Sequence, residues 1–147
     1  MSLYLDASVL VALFVIDPAS ARAAAFLASH PTIILVSDFG AAEFSSALAR
    51  RVRMHDLTRG DALLAFEHFD TWTTRAAGRR ELTTADIEVA DQILRRLDVN
   101  LCTPDALHIA IAQRFDATLV TLDRGMASAA RALGMAVATP CPVVGCT

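Results

Sequence analysis

Thr32-Ile-Ile-Leu-Val36 is apolar and β-branched with no polar alternation, and Ser37-Asp38 stands directly behind it. A run of this kind suits a strand covered on both faces, the situation of a parallel sheet, and Ser37 or Asp38 supplies the side-chain acceptor that opens a helix. The same order recurs on either side. Upstream, Ser2-Leu-Tyr-Leu-Asp6 is a short apolar run ending in an acid; a helix over 8–16 follows, broken at Asp17-Pro18, and then an Ala-rich helix over 19–29. Downstream, a helix is predicted over 39–54. Another opens at Thr58, with Asp61 three residues on and Leu63, Leu64, Phe66, Phe69 and Trp72 as its apolar stripe. Arg79 to Thr83 is a weak strand candidate. Thr84 is read as the cap of a helix to Leu97, with Ile87, Ala90, Ile93, Leu94 and Leu97 on one face. Thr103-Pro104 is read as the N-cap and first residue of a helix ending near Arg114. Ala117-Thr-Leu-Val-Thr121 is the next buried strand, Asp123 caps a helix that Gly134 stops, and 135–138 is a last short strand. Strands alternating with helices predict an α/β fold with a mostly parallel central sheet of four to five strands, in one domain over 1–147 whose residues 139–147 form a short tail.

Composition narrows the function. The chain has 147 residues, of which 54% are hydrophobic and 20% charged, and its net charge is −3. Such a chain builds a core and is not disordered, and it has no overall positive field to hold a polyanion. The longest uncharged run, Ala7 to Ile16, is shorter than the roughly 20 apolar residues that span a bilayer. No basic region precedes an apolar stretch at the N-terminus, so a cytoplasmic protein away from the membrane is expected. All thirteen basic residues are arginine. That excludes Schiff-base lysine chemistry, a P-loop with GK[ST] and a lysine general base. Cys102, Cys141 and Cys146 have neither disulfide-framework nor zinc-type spacing and are read as core or tail thiols.

Ligands of parallel α/β folds sit beyond the carboxyl ends of the strands, and acids occupy those ends here. Asp6 ends the first strand, Glu43 lies in the first turns of the helix behind Ser37-Asp38, Asp105 follows Thr103-Pro104, and Asp123 follows the Val120-Thr121-Leu122 run. Asp105 and Asp123, taken singly, are explained as helix N-terminal acids, favoured by about 0.3–1 kcal/mol. Asp6 lies between an apolar strand and an apolar helix, and Glu43 is alone among Ala41, Ala42 and Phe44. A buried acid needs a partner, and Arg50 and Arg51 are too far along the helix to serve Glu43. Glu43 is therefore either salt-bridged or bound to a cation. Four carboxylates at one edge repel unless a cation joins them; oxygen ligands without His or Cys suit Mg²⁺ or Mn²⁺, ions that serve phosphodiester cleavage.

At these residues the chain resembles the PIN-domain ribonucleases, specifically the VapC-type toxins of type II toxin–antitoxin pairs. The matching segments are Tyr4-Leu-Asp-Ala-Ser8, Ala42-Glu-Phe-Ser-Ser-Ala47, Pro104-Asp-Ala-Leu-His-Ile-Ala-Ile-Ala112 and Thr118-Leu-Val-Thr-Leu-Asp123, in the family's order and across nearly the whole chain. The resemblance implies a PIN-like three-layer fold and a Mg²⁺-dependent endoribonuclease. Asp6 and Asp105 would be its principal metal ligands, Glu43 would complete the acidic cluster, and Asp123 would be the fourth acid. Ser8 and Thr121 would orient carboxylates. Met126 fills the place where the family carries a large apolar residue after its last acid. Gly125 stands where a further acid sometimes occurs, so the number of ions, one or two, stays open. The resemblance also implies an RNA substrate, a homodimer, and a VapB-like antitoxin whose C-terminal segment enters the acidic groove and presents an arginine to it.

Arg50, Arg51 and Arg53, Arg79-Arg80, Arg95-Arg96 and Arg124 are candidate phosphate contacts, although a charge cluster on a helix is more often a solvated face. His108, three residues after Asp105, is read as a satisfied histidine near the site rather than a catalytic base. Two other functions compete. A phosphotransfer domain of similar topology would use Asp6 as nucleophile, but it calls for a lysine and a second adjacent acid, and neither is present. A non-catalytic interaction protein would use the acids only to hold a partner's arginines.

Overall fold

Alternation along the three central strands sorts the core into two halves. Leu3, Leu5, Val36 and Val120 point into one apolar cluster, and Tyr4, Leu35 and Leu119 into another. Successive residues of a strand face opposite ways, so a strand apolar at every position is covered on both sides, as its sequence requires. The computed structural model describes residues 1–141. Strands β1 (Ser2–Leu5), β2 (Ile33–Ser37), β3 (Gly78–Arg80), β4 (Thr118–Val120) and β5 (Val137–Ala138) form one sheet in the order β3-β2-β1-β4-β5. All pairings are parallel; Tyr4 lies beside Leu35 and Leu119, and Ser37 beside Arg80. The flanking helices are α1 (Ala7–Phe14), α2 (Ser20–Ser29), α3 (Asp38–Arg53), α4 (Arg59–Arg75), α5 (Thr84–Arg95), α6 (Thr103–Arg114) and α7 (Arg124–Ala132). The α/β architecture and the parallel five-stranded sheet agree with the sequence reading. The expected tail over 139–147 lies outside the described residues from 142 onward, and Cys146 with it.

One layer packs α1, α3 and α4 on the sheet through Val9, Leu10, Phe44, Leu48 and Phe69, which are buried. Phe14, Phe44 and Phe69 meet at ring-centroid distances of 4.6–5.9 Å, and Trp72 joins them. The opposite layer packs α6 and α7 through Ile109, Ile111, Met126 and Ala130.

Several local expectations change. The buried seam of α4 is Ala62, Ala65, Phe69 and Thr73, while Leu63 and Leu64 are exposed. Side chains one position off a seam face away from it, so leucine there does not mark the core. Helix α5 ends at Arg95; Leu97 has a φ of 62° and is exposed rather than the last residue of the buried face. Its N-cap is Thr83, not Thr84, and the N-cap of α6 is Cys102, so Thr103 is already helical. Cys141, expected as a tail thiol, is disulfide-bonded, whereas Cys102 is free and exposed. Gly134 stops α7 as expected, with a φ of 82° that L side chains rarely adopt.

Candidate active site

The strand order places β2 on one side of β1 and β4 on the other, so the connection from β1 to β2 and that from β4 to β5 leave in opposite directions. The carboxyl ends of β1 and β4 therefore flank the switch point of the sheet, where such folds open a crevice. Each of β1, β2 and β4 leads at that edge into a helix capped by a polar side chain: Asp6 for α1, Ser37 for α3 and Asp123 for α7.

Asp6 is the best-held group there. It is 1% exposed. Its Oδ1 accepts from Ser8 Oγ at 2.6 Å and from the Val9 N–H at 3.1 Å, and its Oδ2 accepts from Thr121 Oγ1 at 2.6 Å. Thr121 is itself fully buried, and its Oγ1 accepts from the Asp123 N–H at 3.0 Å. Ser8 Oγ accepts from the Leu122 N–H at 3.0 Å. Ser8 and Thr121 thus tie the end of β1 to the end of β4 and hold Asp6 and the Asp123 backbone in one hydrogen-bonded unit. Burial pushes the Asp6 carboxyl above the usual carboxylate range, and the hydrogen bonds from Ser8, Thr121 and Val9 only partly offset it. Asp123, the N-cap of α7, is exposed and accepts from the Met126 N–H at 2.8 Å.

Glu43 has the partner that the sequence left undecided. Its Oε2 is hydrogen-bonded to His108 Nε2 on α6, with the glutamate side chain 30% exposed and the histidine 2%. His108 Nδ1 lies 2.7 Å from the Tyr4 hydroxyl, which lies 2.7 Å from Ser37 Oγ. Sequence reading placed His108 near the site and missed Tyr4 and Ser37 as its partners. The signal was available: Tyr4 is flanked by Leu3 and Leu5 in the buried part of β1, and a buried hydroxyl needs a hydrogen-bond partner. Asp105, half-buried, is one turn before His108 on α6 and accepts from Cys102 Sγ at 3.1 Å.

The structure thus joins Asp6 to Asp123 through Thr121, and Glu43 to the Asp105-bearing helix through His108. Among the described residues, no group of three or more His, Cys, Asp or Glu side chains is close enough to hold a metal ion by itself. The donor chemistry still fits a hard divalent cation. Asp6, Asp105 and Asp123 make no ion pair with arginine among the described residues, although thirteen arginines are present in the chain. Mg²⁺ keeps much of its water and is typically taken by one or two carboxylates, which this edge provides.

The arginines divide by position. Arg124 is exposed beside Asp123 at the site edge. Arg50, Arg51 and Arg53 lie two to three turns beyond Glu43 on α3, roughly 10–15 Å along its axis. Arg51 pairs there with Asp17 at 3.6 Å. Arg79 pairs with Asp38 at 2.7 Å, and Arg95 and Arg96 with Asp91 and Asp98, so these three are neutralised locally. A groove of about 550 Å³ between α3, α4 and β3, lined by Asp38, Ser45, Phe66, Asp70 and Arg79, contains none of the four acids. An ion pair that the sequence did not reveal, with its acid buried and its arginine partly exposed, braces α5 against α6. Asp86, 1% exposed, accepts from Arg114 Nε at 2.7 Å and Nη2 at 2.9 Å and completes the capping box with Thr83.

The chain is similar to proteins already known. Residues 3–132 match the family model described as PIN domain. Ribonuclease VapC46 of Mycobacterium tuberculosis is 35% identical over 149 residues, covering 95% of this chain and 98% of that protein. The crystal structure of Mycobacterium tuberculosis VapC20, described as a sarcin-ricin loop cleaving toxin, superposes with a TM-score of 0.70 at 19% identity, covering 86% of this chain and 94% of that one. A toxin–antitoxin complex from Klebsiella pneumoniae superposes with a TM-score of 0.61 at 18% identity, covering 97% of this chain and all of that one. At these identities the two structures speak for the fold alone. No helix among the described residues is long and apolar enough to cross a membrane.

Proposed function

The chain belongs to the PIN-domain family, in its VapC branch, and on that premise we propose that it is a divalent-cation-dependent endoribonuclease, the toxin of a toxin–antitoxin pair, acting in the cytoplasm. One observation carries the reading: Asp6 is a buried carboxylate with no cationic partner at the switch point of a parallel sheet, and two buried or half-buried hydroxyls aim it. A purely structural acid at that depth would be expected to have an arginine, as Asp86 does.

Asp6 and Asp105 would be the principal ligands of Mg²⁺, or of Mn²⁺ in its place, with Glu43 and Asp123 completing the site. When bound, the cation supplies positive charge against the negative charge that develops on the phosphate during hydrolysis. The remaining work belongs to the chain. Ser8 and Thr121 hold the Asp6 oxygens in one orientation, so its carboxylate does not rearrange as charge develops. Arg124, exposed next to Asp123, takes an RNA phosphate, and Arg50, Arg53 and the partly paired Arg51 take phosphates farther along the strand, which offsets the net negative charge of the protein. The name of the VapC46 relative supports the nuclease reading, and the toxin–antitoxin complex of similar fold supports an antitoxin partner. On the family resemblance that partner would present an arginine to the same acids. A homodimer completes the proposed assembly.

Incubating total cellular RNA with wild type and with Asp6→Asn tests the reading. Discrete fragments made by wild type and absent with the variant are expected. Binding of a cognate antitoxin without cleavage of any RNA would instead leave an interaction protein.

A further inference from the structure

The four groups Ser37, Tyr4, His108 and Glu43 lie in a line across the sheet edge, and nothing above assigns them a joint role. The line starts at the first turn of α3, where the Gly40 N–H donates to Ser37 Oγ at 2.8 Å. It continues through the Ser37–Tyr4 and Tyr4–His108 contacts, each 2.7 Å, and ends on Glu43 Oε2. Ser37 and Tyr4 are fully buried, and His108 is nearly so. The space is close-fitting: a Cβ on Gly40 would stand 3.2 Å from Ser37 Oγ and 3.5 Å from His108 Cε1.

The donor count fixes the direction. An ionised Glu43 only accepts, so Nε2 of His108 carries a proton. Tyr4 has one proton, which goes to Ser37 or to His108. Given to Ser37, it would leave the Ser37 proton with no acceptor in a sealed site and would require a second proton on His108. Given to His108 Nδ1, it lets Ser37 donate to the Tyr4 oxygen, and every donor in the line then has one acceptor.

We propose that Ser37, Tyr4 and neutral His108 are positioning residues: a one-way hydrogen-bond line that pins Glu43 Oε2 and leaves Oε1 to face the cation. This rests on the metal-site reading given above. The arrangement follows the general pattern in which a hydrogen-bonded outer group sets the angle of a ligating carboxylate. It also accounts for glycine at position 40, where a Cβ would crowd Ser37 Oγ at the start of the line.

The test combines two measurements on the full chain. Nitrogen-15 spectra of the metal-free wild type should show His108 as the Nε2–H tautomer, with Nδ1 unprotonated and accepting. Tyr4→Phe, which keeps the ring and removes the hydroxyl, should lose that single-tautomer signature and bind Mn²⁺ about tenfold more weakly by titration calorimetry. Its kcat should fall while its KM for RNA stays unchanged. A wild-type His108 protonated on Nδ1, or a Tyr4→Phe protein with wild-type Mn²⁺ affinity, overturns the proposal while leaving the metal site intact. A wild type that binds no Mn²⁺ overturns the metal site itself, and the positioning role with it. The tautomer measurement needs no variant and decides the hydrogen-bond direction even if Tyr4→Phe fails to fold.

Discussion

Thr121 Oγ1 donates to Asp6 Oδ2 at 2.6 Å across 115 positions of sequence, and the same oxygen accepts from the Asp123 N–H. One buried hydroxyl therefore fixes the carboxylate at the end of β1 and the backbone at the end of β4. The orientation of Asp6 and the start of α7 are set by the same atom.

Thr121→Val keeps the shape of the side chain and removes that atom. RNA cleavage should fall by about 10–100-fold, as for other groups that orient a ligand. Stability should fall by about 1–2 kcal/mol, because the Asp123 N–H loses its acceptor and Asp6 loses a donor. Initial rates on one defined RNA and urea unfolding check both numbers, and an unchanged rate would remove Thr121 from the site.

Glu43 separates two physical expectations. If repulsion among acids dominates, Glu43→Ala stabilises the metal-free protein. The His108 contact argues the reverse, because the variant leaves a buried Nε2–H without its acceptor. A loss of about 1–2 kcal/mol is expected from chemical denaturation without metal, reduced from the fully buried case because Glu43 is partly exposed. A gain in stability would show that repulsion wins.

Asp86 sets an acid-side dependence of stability. Burial alone would raise its carboxyl, but the hydrogen bonds from Arg114 and Thr83 outweigh burial and hold it below the ordinary 3.8. A group lowered on folding contributes stability that is present above its unfolded value and is lost as pH falls below 3.8 through the folded value. Arg114→Ala should therefore cost about 3 kcal/mol at pH 7 by leaving Asp86 buried and unpaired. Urea midpoints at neutral pH and near pH 3 should differ less between variant and wild type at the acid end. An equal gap at both would contradict the assignment.

The parts of this molecule that could be read in advance are local. An apolar β-branched run, a Ser or Asp behind it and an apolar helix after that are contiguous, so β1, β2 and β4 and the caps Ser37 and Asp123 were visible in the sequence, while Asp6 was read as a strand-end acid and not as the cap of α1. The packing seam of α4 was misread because leucine marks a core position only when its angle around the helix is right; Ala62 and Ala65 take that angle, and Leu63 and Leu64 do not. The pairs Asp86–Arg114 and Glu43–His108 join residues 28 and 65 positions apart, and no local pattern encodes them. The box Thr83-Thr84-Ala85-Asp86 was legible in principle, but the competing Thr84 hid it.

Chelation separates cation-dependent cleavage from chemistry by His108. EDTA should stop RNA cleavage by wild type, and added Mg²⁺ or Mn²⁺ should restore it to the starting rate. Cleavage that continues in EDTA would transfer the reaction to a protein base.

The central claim is that these acids take up a divalent cation together, and crystals soaked in Mn²⁺ test it most directly. The account predicts an anomalous-scattering peak in ligating contact with the Asp6 and Asp105 carboxylates, lost in crystals of Asp6→Asn. Well-ordered crystals at saturating Mn²⁺ with no peak at that edge, or with the peak unchanged in Asp6→Asn, would contradict it.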